Sequence, residues 1–467
     1  MPTHANASER IRTYANDANY NYKNKINLTT NTNTKRRKPT GKIARKRRIV
    51  ENSVENLWKS CGKLGFAGGE KRSPSYRLPT TPGNLNSKKG VPTMNTANEK
   101  TVRITKLEQL SPLPELLRFE DGTPVTTPED WQRRRAEVYE AAITAQYGRI
   151  PPAPETLTVT PLSLGSSAKV YRITAGVAGR TVSFRMCVFY PAGVPGPWPT
   201  AIDGDLCWEY PHDRAFIRTF TDRGMALALF DRTELVSDVA AEAAGSPLCR
   251  AYPELSFGAL AGWAWGYGRC VDALLSLGLS DPECIAFTGH SRGGKAALLA
   301  GVLDPRAAVV NPNDSGCGGA GCYRVLAEGI DEEGGTDRNE NLEDILRQFH
   351  YWFAPSFASW AGRAAELPFD QHFVKALVAP RVLLEGNAAS DLWANPVGSR
   401  VTAEAADSVY RLLGVPERHL WYYRAGFHYH KISDVARLAD VMAAVKNGTD
   451  FPGPWRQDPF LLPGEDG

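Results

Sequence analysis

No stretch of the 467 residues approaches the roughly 18 consecutive apolar residues a membrane helix needs. Cysteine is sparse. Eight in a chain of this length are too few for a disulfide scaffold, and no pair has the C-x-x-C spacing of a zinc site. There is no internal repeat, which excludes solenoids and propellers, and neither a collagen-like nor a heptad pattern occurs. Acidic residues are scarce at one end: residues 1–100 hold 6 Asp+Glu against 21 Lys+Arg, while the other 367 hold 45 against 34. The net charge of +4 therefore conceals a mildly acidic body behind a basic leader. At 42% hydrophobic and 23% charged residues, the composition is that of a globular protein.

Residues 1–100 are rich in Asn, Thr, Lys and Arg, as in Thr29-Thr30-Asn31-Thr32-Asn33-Thr34. Such a stretch buries too little apolar surface to offset its ordering entropy, so a disordered leader is expected. Lys35-Arg36-Arg37-Lys38 and Arg45-Lys46-Arg47-Arg48 could meet nucleic acid or an anionic membrane; a solvated tail is the plainer expectation. Translation starting at Met94 is another reading. No apolar core of 7–15 residues follows the N-terminal charges or Met94, so no secretory signal is visible and a cytoplasmic location is expected.

The body, 104–460, reads as one α/β domain. A polar–apolar helical pattern starts at Trp131 and runs to Tyr147, stopped by Gly148 and Pro151-Pro152. Alternating segments at 156–162, 169–174 and 181–190 predict antiparallel strands. Short apolar runs then alternate with helical stretches. Strands are expected at 225–230, 284–288, 307–310, 381–385 and 419–423, with a helix at 263–277. Strands separated by helices imply a mostly parallel central sheet covered on both faces, here with an N-terminal antiparallel extension.

The segment 284–288 runs into Gly289-His290-Ser291-Arg292-Gly293, and an Ala/Leu-rich helix follows. G-x-S-x-G between a strand and a helix is the context of the nucleophile elbow of an α/β-hydrolase fold. The glycines allow the tight turn, the Ser291 hydroxyl is lifted from the sheet edge, and the backbone N–H of Arg292 becomes an oxyanion donor. A serine needs a base and the base an orienting acid, in the chain order Ser, Asp or Glu, His. His428 lies in a Gly-containing loop after the strand 419–423, with His430 as its rival. His419 is expected to begin that strand, and His350 and His372 to fill structural or pocket roles. Asp391, after the strand 381–385, holds the usual acid position; Asp314, after the strand 307–310, competes for it.

Gly289-His290-Ser291-Arg292-Gly293-Gly294-Lys295-Ala296-Ala297 resembles the G-C-S-R-x-G-K-G-A signature of the glucuronoyl esterases, carbohydrate esterase family 15, in their bacterial form. Further blocks agree in order and spacing: Ser315-Gly316-Cys317-Gly318-Gly319, Tyr351-Trp352-Phe353, Leu367-Pro368-Phe369-Asp370-Gln371-His372, and Ser390-Asp391-Leu392-Trp393. The resemblance implies hydrolysis of the ester between 4-O-methyl-glucuronic acid on xylan and alcohols of lignin. Position by position, Ser291 resembles the nucleophile, His428 the base, and Arg292 the side chain that helps stabilise the oxyanion. Lys295 resembles the residue that binds sugar hydroxyls and Trp393 the tryptophan of the uronate pocket. The family's two acid sites match Asp314 and Asp391. His290 and Tyr429 stand where fungal members join two cysteines, so that disulfide is absent. Phe349 stands where those members carry a sugar-contacting Glu, and Glu340 would partly substitute for it, as in bacterial members. Trp352 is a further candidate to stack on a sugar face.

The leading expectation is a serine carboxylesterase acting on glucuronic acid esters or glucuronoxylan-derived oligosaccharides. It would use Ser291, His428, Asp391 or Asp314 and Arg292, with substrate held by Lys295, Trp393, Trp352 and Glu340. No cofactor or metal is expected, nor a nucleic-acid or membrane partner, and the chain is expected to be a monomer. An acetyl esterase for xylan is the enzymatic alternative, and a non-catalytic carbohydrate-binding protein the other.

Overall fold

The computed structural model describes residues 102–464; the basic leader expected at 1–100 lies outside the described residues. Thirteen strands are described in two sheets. The larger sheet contains β2 (Thr156–Leu164), β3 (Ala168–Val177), β4 (Arg180–Phe189), β5 (Trp198–Asp203), β6 (Ala226–Phe230) and β7 (Ser280–His290). It is completed by β8 (Val309–Asn313), β11 (Val382–Ala388) and β12 (His419–Arg424), in the order β12-β11-β8-β7-β5-β6-β4-β3-β2. From β12 to β6 every pairing is parallel; from β6 outward through β4, β3 and β2 every pairing is antiparallel. This is the α/β-hydrolase arrangement with an antiparallel extension. Every residue of β6, β8 and β11 is buried, so both faces of the parallel part are covered. Helices Ala259–Ser276 and Arg292–Leu303 pack together, as do Arg214–Thr221 and Ile432–Asn447.

The helix expected from Trp131 begins at Pro128, behind a capping box of Thr127 and Asp130. It passes through a wide turn at Glu140–Thr144 and ends at Gly148. Gly148 has φ 82°, and a Cβ there would sit 2.2 Å from the Ser256 carbonyl oxygen, so only glycine fits.

The second sheet, absent from the sequence reading, has the order β10-β9-β1-β13. It joins β1 (Val102–Gln109) and β13 (Phe460–Leu461) to the hairpin of β9 (Val325–Ile330) and β10 (Thr336–Arg338). The body thus includes a strand that starts two residues before the expected 104. Val102, Ile104, Val325 and Phe460 form its own apolar cluster with Leu392 and Val397. Among the described residues no helix is long and apolar enough to cross a membrane.

Candidate active site

The candidate residues gather beyond the carboxyl ends of four neighbouring parallel strands, the usual ligand position in such sheets. Ser291 follows β7, Asp314 follows β8, Asp391 follows β11 and His428 follows β12.

Ser291 is the hinge between β7 and the helix Arg292–Leu303. Its φ of 57° and ψ of −122° lie outside the regions an L-residue prefers, a strain of about 1–3 kcal/mol. The glycines permit this turn. A Cβ at 289 would lie 2.5 Å from the Gly293 carbonyl oxygen, and one at 293 would lie 2.1 Å from Asp205 Oδ2. The Ser291 N–H donates to the Asn313 carbonyl at 2.9 Å, and the first helical bond runs from the Lys295 N–H to the Ser291 carbonyl. The N–H groups of the first helical turn have no intrahelical acceptor, so they face the reacting centre.

His428 Nδ1 lies 2.5 Å from Asp391 Oδ2. A carboxylate only accepts, so Nδ1 carries the proton and Nε2 is left as the acceptor. Backbone bonds stitch the acid and histidine loops together: the Ala389 N–H donates to the Arg424 carbonyl and the Ser390 N–H to the Gly426 carbonyl. Burial presses the His428 pKa down, but the hydrogen bond and charge of Asp391, with the charge of Asp314, outweigh it and hold the imidazole above its ordinary value. The side chain is 43% exposed, so the ring edge remains reachable. Its ring centre is 4.5 Å from that of His290, the residue just before the nucleophile. Among the described residues the Ser291 hydroxyl makes no hydrogen bond. Such contacts are commonly long before substrate binds and tighten in its complex.

Asp314 is differently engaged. It is buried, with φ 41°. Its Oδ1 accepts the Ala388 N–H at 2.5 Å, and its Oδ2 accepts Arg424 Nη2 at 2.7 Å. Burial pushes its pKa up to about 7, with the Asp391 charge adding to the rise and Arg424 opposing it. Of the two carboxylates left open by the sequence, Asp391 makes the bond to His428 and Asp314 faces a guanidinium. One donor atom each from Asp314, Asp391 and His428 falls within 4.8 Å of the others, a spacing a metal could use. The Arg424 cation already meets that cluster, and Nδ1 of His428 is occupied by Asp391.

His430 sits two residues from His428 with both ring nitrogens buried and unpartnered. Its neighbours are the rings of Tyr210, Phe216 and His290. Burial pushes its pKa down to about 4, so it is a neutral packing residue. His419 is held between Asp407 and Glu385, each at 2.7 Å, and His372 Nε2–H donates to the Pro114 carbonyl at 2.9 Å; both are remote supports of the fold.

The remaining candidates form the walls. Lys295 is buried, and its Nζ donates to the Ser315 carbonyl at 2.5 Å. Burial lowers its pKa against the pull of Glu340. Glu340 is also buried; its N–H donates to the Trp393 carbonyl at 2.9 Å, while its carboxylate has no hydrogen-bond partner among the described residues. Burial raises its pKa and Lys295 opposes that. A lysine with spare donors beside a carboxylate with spare acceptors is a pair suited to hydroxyl groups. Trp393 is 36% exposed, with the Arg338 guanidinium 5.2 Å from its ring centre.

Trp352 differs from the expectation of a sugar platform. It is 3% exposed, its ring stacks on Phe349 at 3.9 Å, and its Nε1–H donates to Asp238 at 2.8 Å. With its ring covered and its one donor committed, it supports other side chains. Arg292 lies over it, 4.8 Å from the ring centre, and over Trp208 at 5.5 Å; Arg292 Nη1 donates to Asp238 Oδ2 at 2.8 Å. Trp208, 42% exposed, and Asp238 are site residues missed in the sequence. Neither sits in a motif. The only signal was an aromatic residue in the loop following an apolar strand, and β5 itself was not foreseen.

A family model described as glucuronyl esterase of fungi matches residues 173–414. A 4-O-methyl-glucuronoyl methylesterase of Schizophyllum commune is 31% identical over 331 residues, covering 68% of this chain and 78% of that protein. Among solved structures, a carbohydrate esterase family 15 glucuronoyl esterase of Caldicellulosiruptor kristjansonii superposes with a TM-score of 0.64 at 28% identity, over 76% of this chain and 96% of the other. The glucuronoyl esterase catalytic domain of Hypocrea jecorina gives 0.61 at 26% identity, over 76% and 93%. With the strained serine elbow, the carboxylate-bound histidine and these matches taken together, the chain belongs to the glucuronoyl esterase family.

Proposed function

We propose that the protein hydrolyses esters of 4-O-methyl-glucuronic acid through an acyl-enzyme on Ser291. The observation that carries this reading is the 2.5 Å bond from His428 Nδ1 to Asp391, which leaves Nε2 as a base on a ring centred 4.5 Å from that of His290, the residue before the strained Ser291. His428 Nε2 takes the Ser291 proton as the hydroxyl oxygen attacks the uronoyl carbon. The alcohol then leaves with that proton. A water, deprotonated by the same nitrogen, attacks the acyl-enzyme and frees glucuronate with Ser291 restored. The backbone N–H of Arg292 and its guanidinium face the oxyanion; removal of one such donor costs about 10²–10³ in rate. Lys295 and Glu340 bind ring hydroxyls, and Trp393 covers the apolar face of the sugar. The reactive ester is neutral and needs no cation of its own, whereas the product anion is attracted by Arg292 and Lys295. The name of the Schizophyllum commune relative supports a uronate methyl ester as the substrate class.

The test is release of alcohol from benzyl or methyl glucuronate by the purified chain. The expected result is turnover abolished by Ser291→Ala and a raised KM in Lys295→Met, with p-nitrophenyl acetate hydrolysis little changed by the lysine substitution. Turnover that survives Ser291→Ala contradicts the mechanism. Acetate release equally sensitive to Lys295 contradicts its role in binding the sugar.

A further inference from the structure

Arg292 poses a geometric problem. Its guanidinium is useful to a developing oxyanion only if an N–H is fixed in advance, because reorganisation during the reaction cancels the gain. A free arginine side chain loses about 2 kcal/mol of rotamer entropy on ordering. A cation at the start of a helix is moreover electrostatically disfavoured. Something must hold it there and set its angle.

Aromatic rings supply part of the hold. The guanidinium carbon lies 4.8 Å from the ring centre of Trp352, 5.2 Å from that of Phe349 and 5.5 Å from that of Trp208. Contact with ring faces restrains the guanidinium's position but leaves it free to turn in its own plane. That turn is set by one bond, from Arg292 Nη1 to Asp238 Oδ2 at 2.8 Å. The carboxylate is itself locked: its Oδ1 accepts Trp352 Nε1 at 2.8 Å and the Tyr351 hydroxyl at 3.0 Å, and the Tyr351 hydroxyl is also 3.0 Å from the Asp238 carbonyl oxygen. Two segments far apart in the chain, at Arg292 and at Tyr351-Trp352, thus converge on one carboxylate. Arg292 Nε remains buried without a partner.

We propose that Asp238 is a positioning residue which, braced by Tyr351 and Trp352, orients the Arg292 guanidinium for the oxyanion. This rests on the esterase reading above and extends it. The sign is informative. An anion close to a developing anion slows the reaction by charge alone, so a residue acting only through its field would raise kcat when neutralised. A residue acting by orientation lowers it. A bare partly exposed ion pair contributes at most about 1 kcal/mol to folding and leaves kcat alone.

The experiment measures kcat and KM for Asp238→Asn, Tyr351→Phe, Arg292→Met and Asp238→Asn/Arg292→Met on benzyl glucuronate and on p-nitrophenyl acetate. Asp238→Asn turns an amide N–H toward the guanidinium and should lower kcat about 10- to 100-fold with KM within about twofold. Tyr351→Phe, which keeps the carboxylate and its charge, should lower kcat a few-fold on the same pattern, and it carries the test if Asp238→Asn fails to fold. The double variant should be no slower than Arg292→Met alone. An unchanged or raised kcat in the single variants, or losses that multiply in the double variant, overturns the proposal. If the parent enzyme turns over only the acetate in a Ser291-dependent way, the uronate reading fails while Asp238 is still scored on the acetate.

Discussion

At the scale of single residues, the site separates two carboxylates that look interchangeable in sequence. Asp391 binds the imidazole, whereas Asp314 is turned to Arg424 and the Ala388 amide. Asp391→Asn is therefore expected to lower kcat by about 10³–10⁴ through the wrong tautomer. Asp314→Asn keeps its acceptor for Ala388 and is expected to cost about tenfold or less. Steady-state kinetics of the two variants decides this, and equal losses would contradict the assignment. The acid limb of kcat/KM reports His428 losing its role as base on protonation. Its pKa is held above the ordinary value, so the limb lies above about 6.5 and moves to lower pH when Asp391 is neutralised. Stability follows the opposite sign. The folded state favours the imidazolium, so that contribution is fully present below about 6.5 and fades as pH rises through the folded value.

At the scale of elements, the small sheet is a support for the substrate wall. Glu340 follows β10 and is tied to Trp393 through the Glu340 N–H and the Trp393 carbonyl. β13 closes that sheet through Phe460, which is fully buried and packs edge-on against Tyr423 of β12 at 5.2 Å. Phe460→Ala is expected to destabilise by about 3–5 kcal/mol, read as a lowered urea midpoint; a change below about 1 kcal/mol would show that the strand is dispensable. This sheet was not legible in the sequence because β1 and β13 stand at opposite ends of the body and pair only through the tertiary fold. The parallel strands other than β5 were legible because burial on both faces leaves apolar runs between helical segments. The elbow was legible because its glycines are local requirements of one tight turn. Asp238 and Trp208 were not, since no local spacing marks a residue whose partners lie far along the chain; Tyr351 was legible as part of the block Tyr351-Trp352-Phe353 but not as the brace of Asp238. Trp352 was recognised as special in sequence, but its burial beneath Arg292 depends on that same convergence.

At the scale of the molecule, the region behind the nucleophile carries an unusual concentration of neutral histidine. Burial drives the His430 pKa to about 4, and burial with the neighbouring histidines drives that of His290 well below its usual value. The unfolded chain binds these protons near pH 6.5 and the folded chain does not. Their contribution to stability is thus present above about 6.5 and lost as pH falls toward 4. His430→Phe removes two unpartnered ring nitrogens from an aromatic setting. It is expected to raise the melting temperature at pH 5 and to flatten its fall between pH 6.5 and 4.5, by up to about 1.4 kcal/mol per pH unit for the one proton removed. A parallel downward shift at all pH values would contradict this and point to lost packing instead.

The central claim is that Ser291 carries the uronoyl group during turnover. The direct measurement is acid quenching of enzyme mixed with methyl 4-O-methyl-glucuronate, followed by peptide mapping by mass spectrometry. The expected result is a uronoyl ester on the peptide containing Ser291, absent from Ser291→Ala, which also fails to release methanol. Methanol release without any adduct at Ser291, continuing in Ser291→Ala, would contradict it.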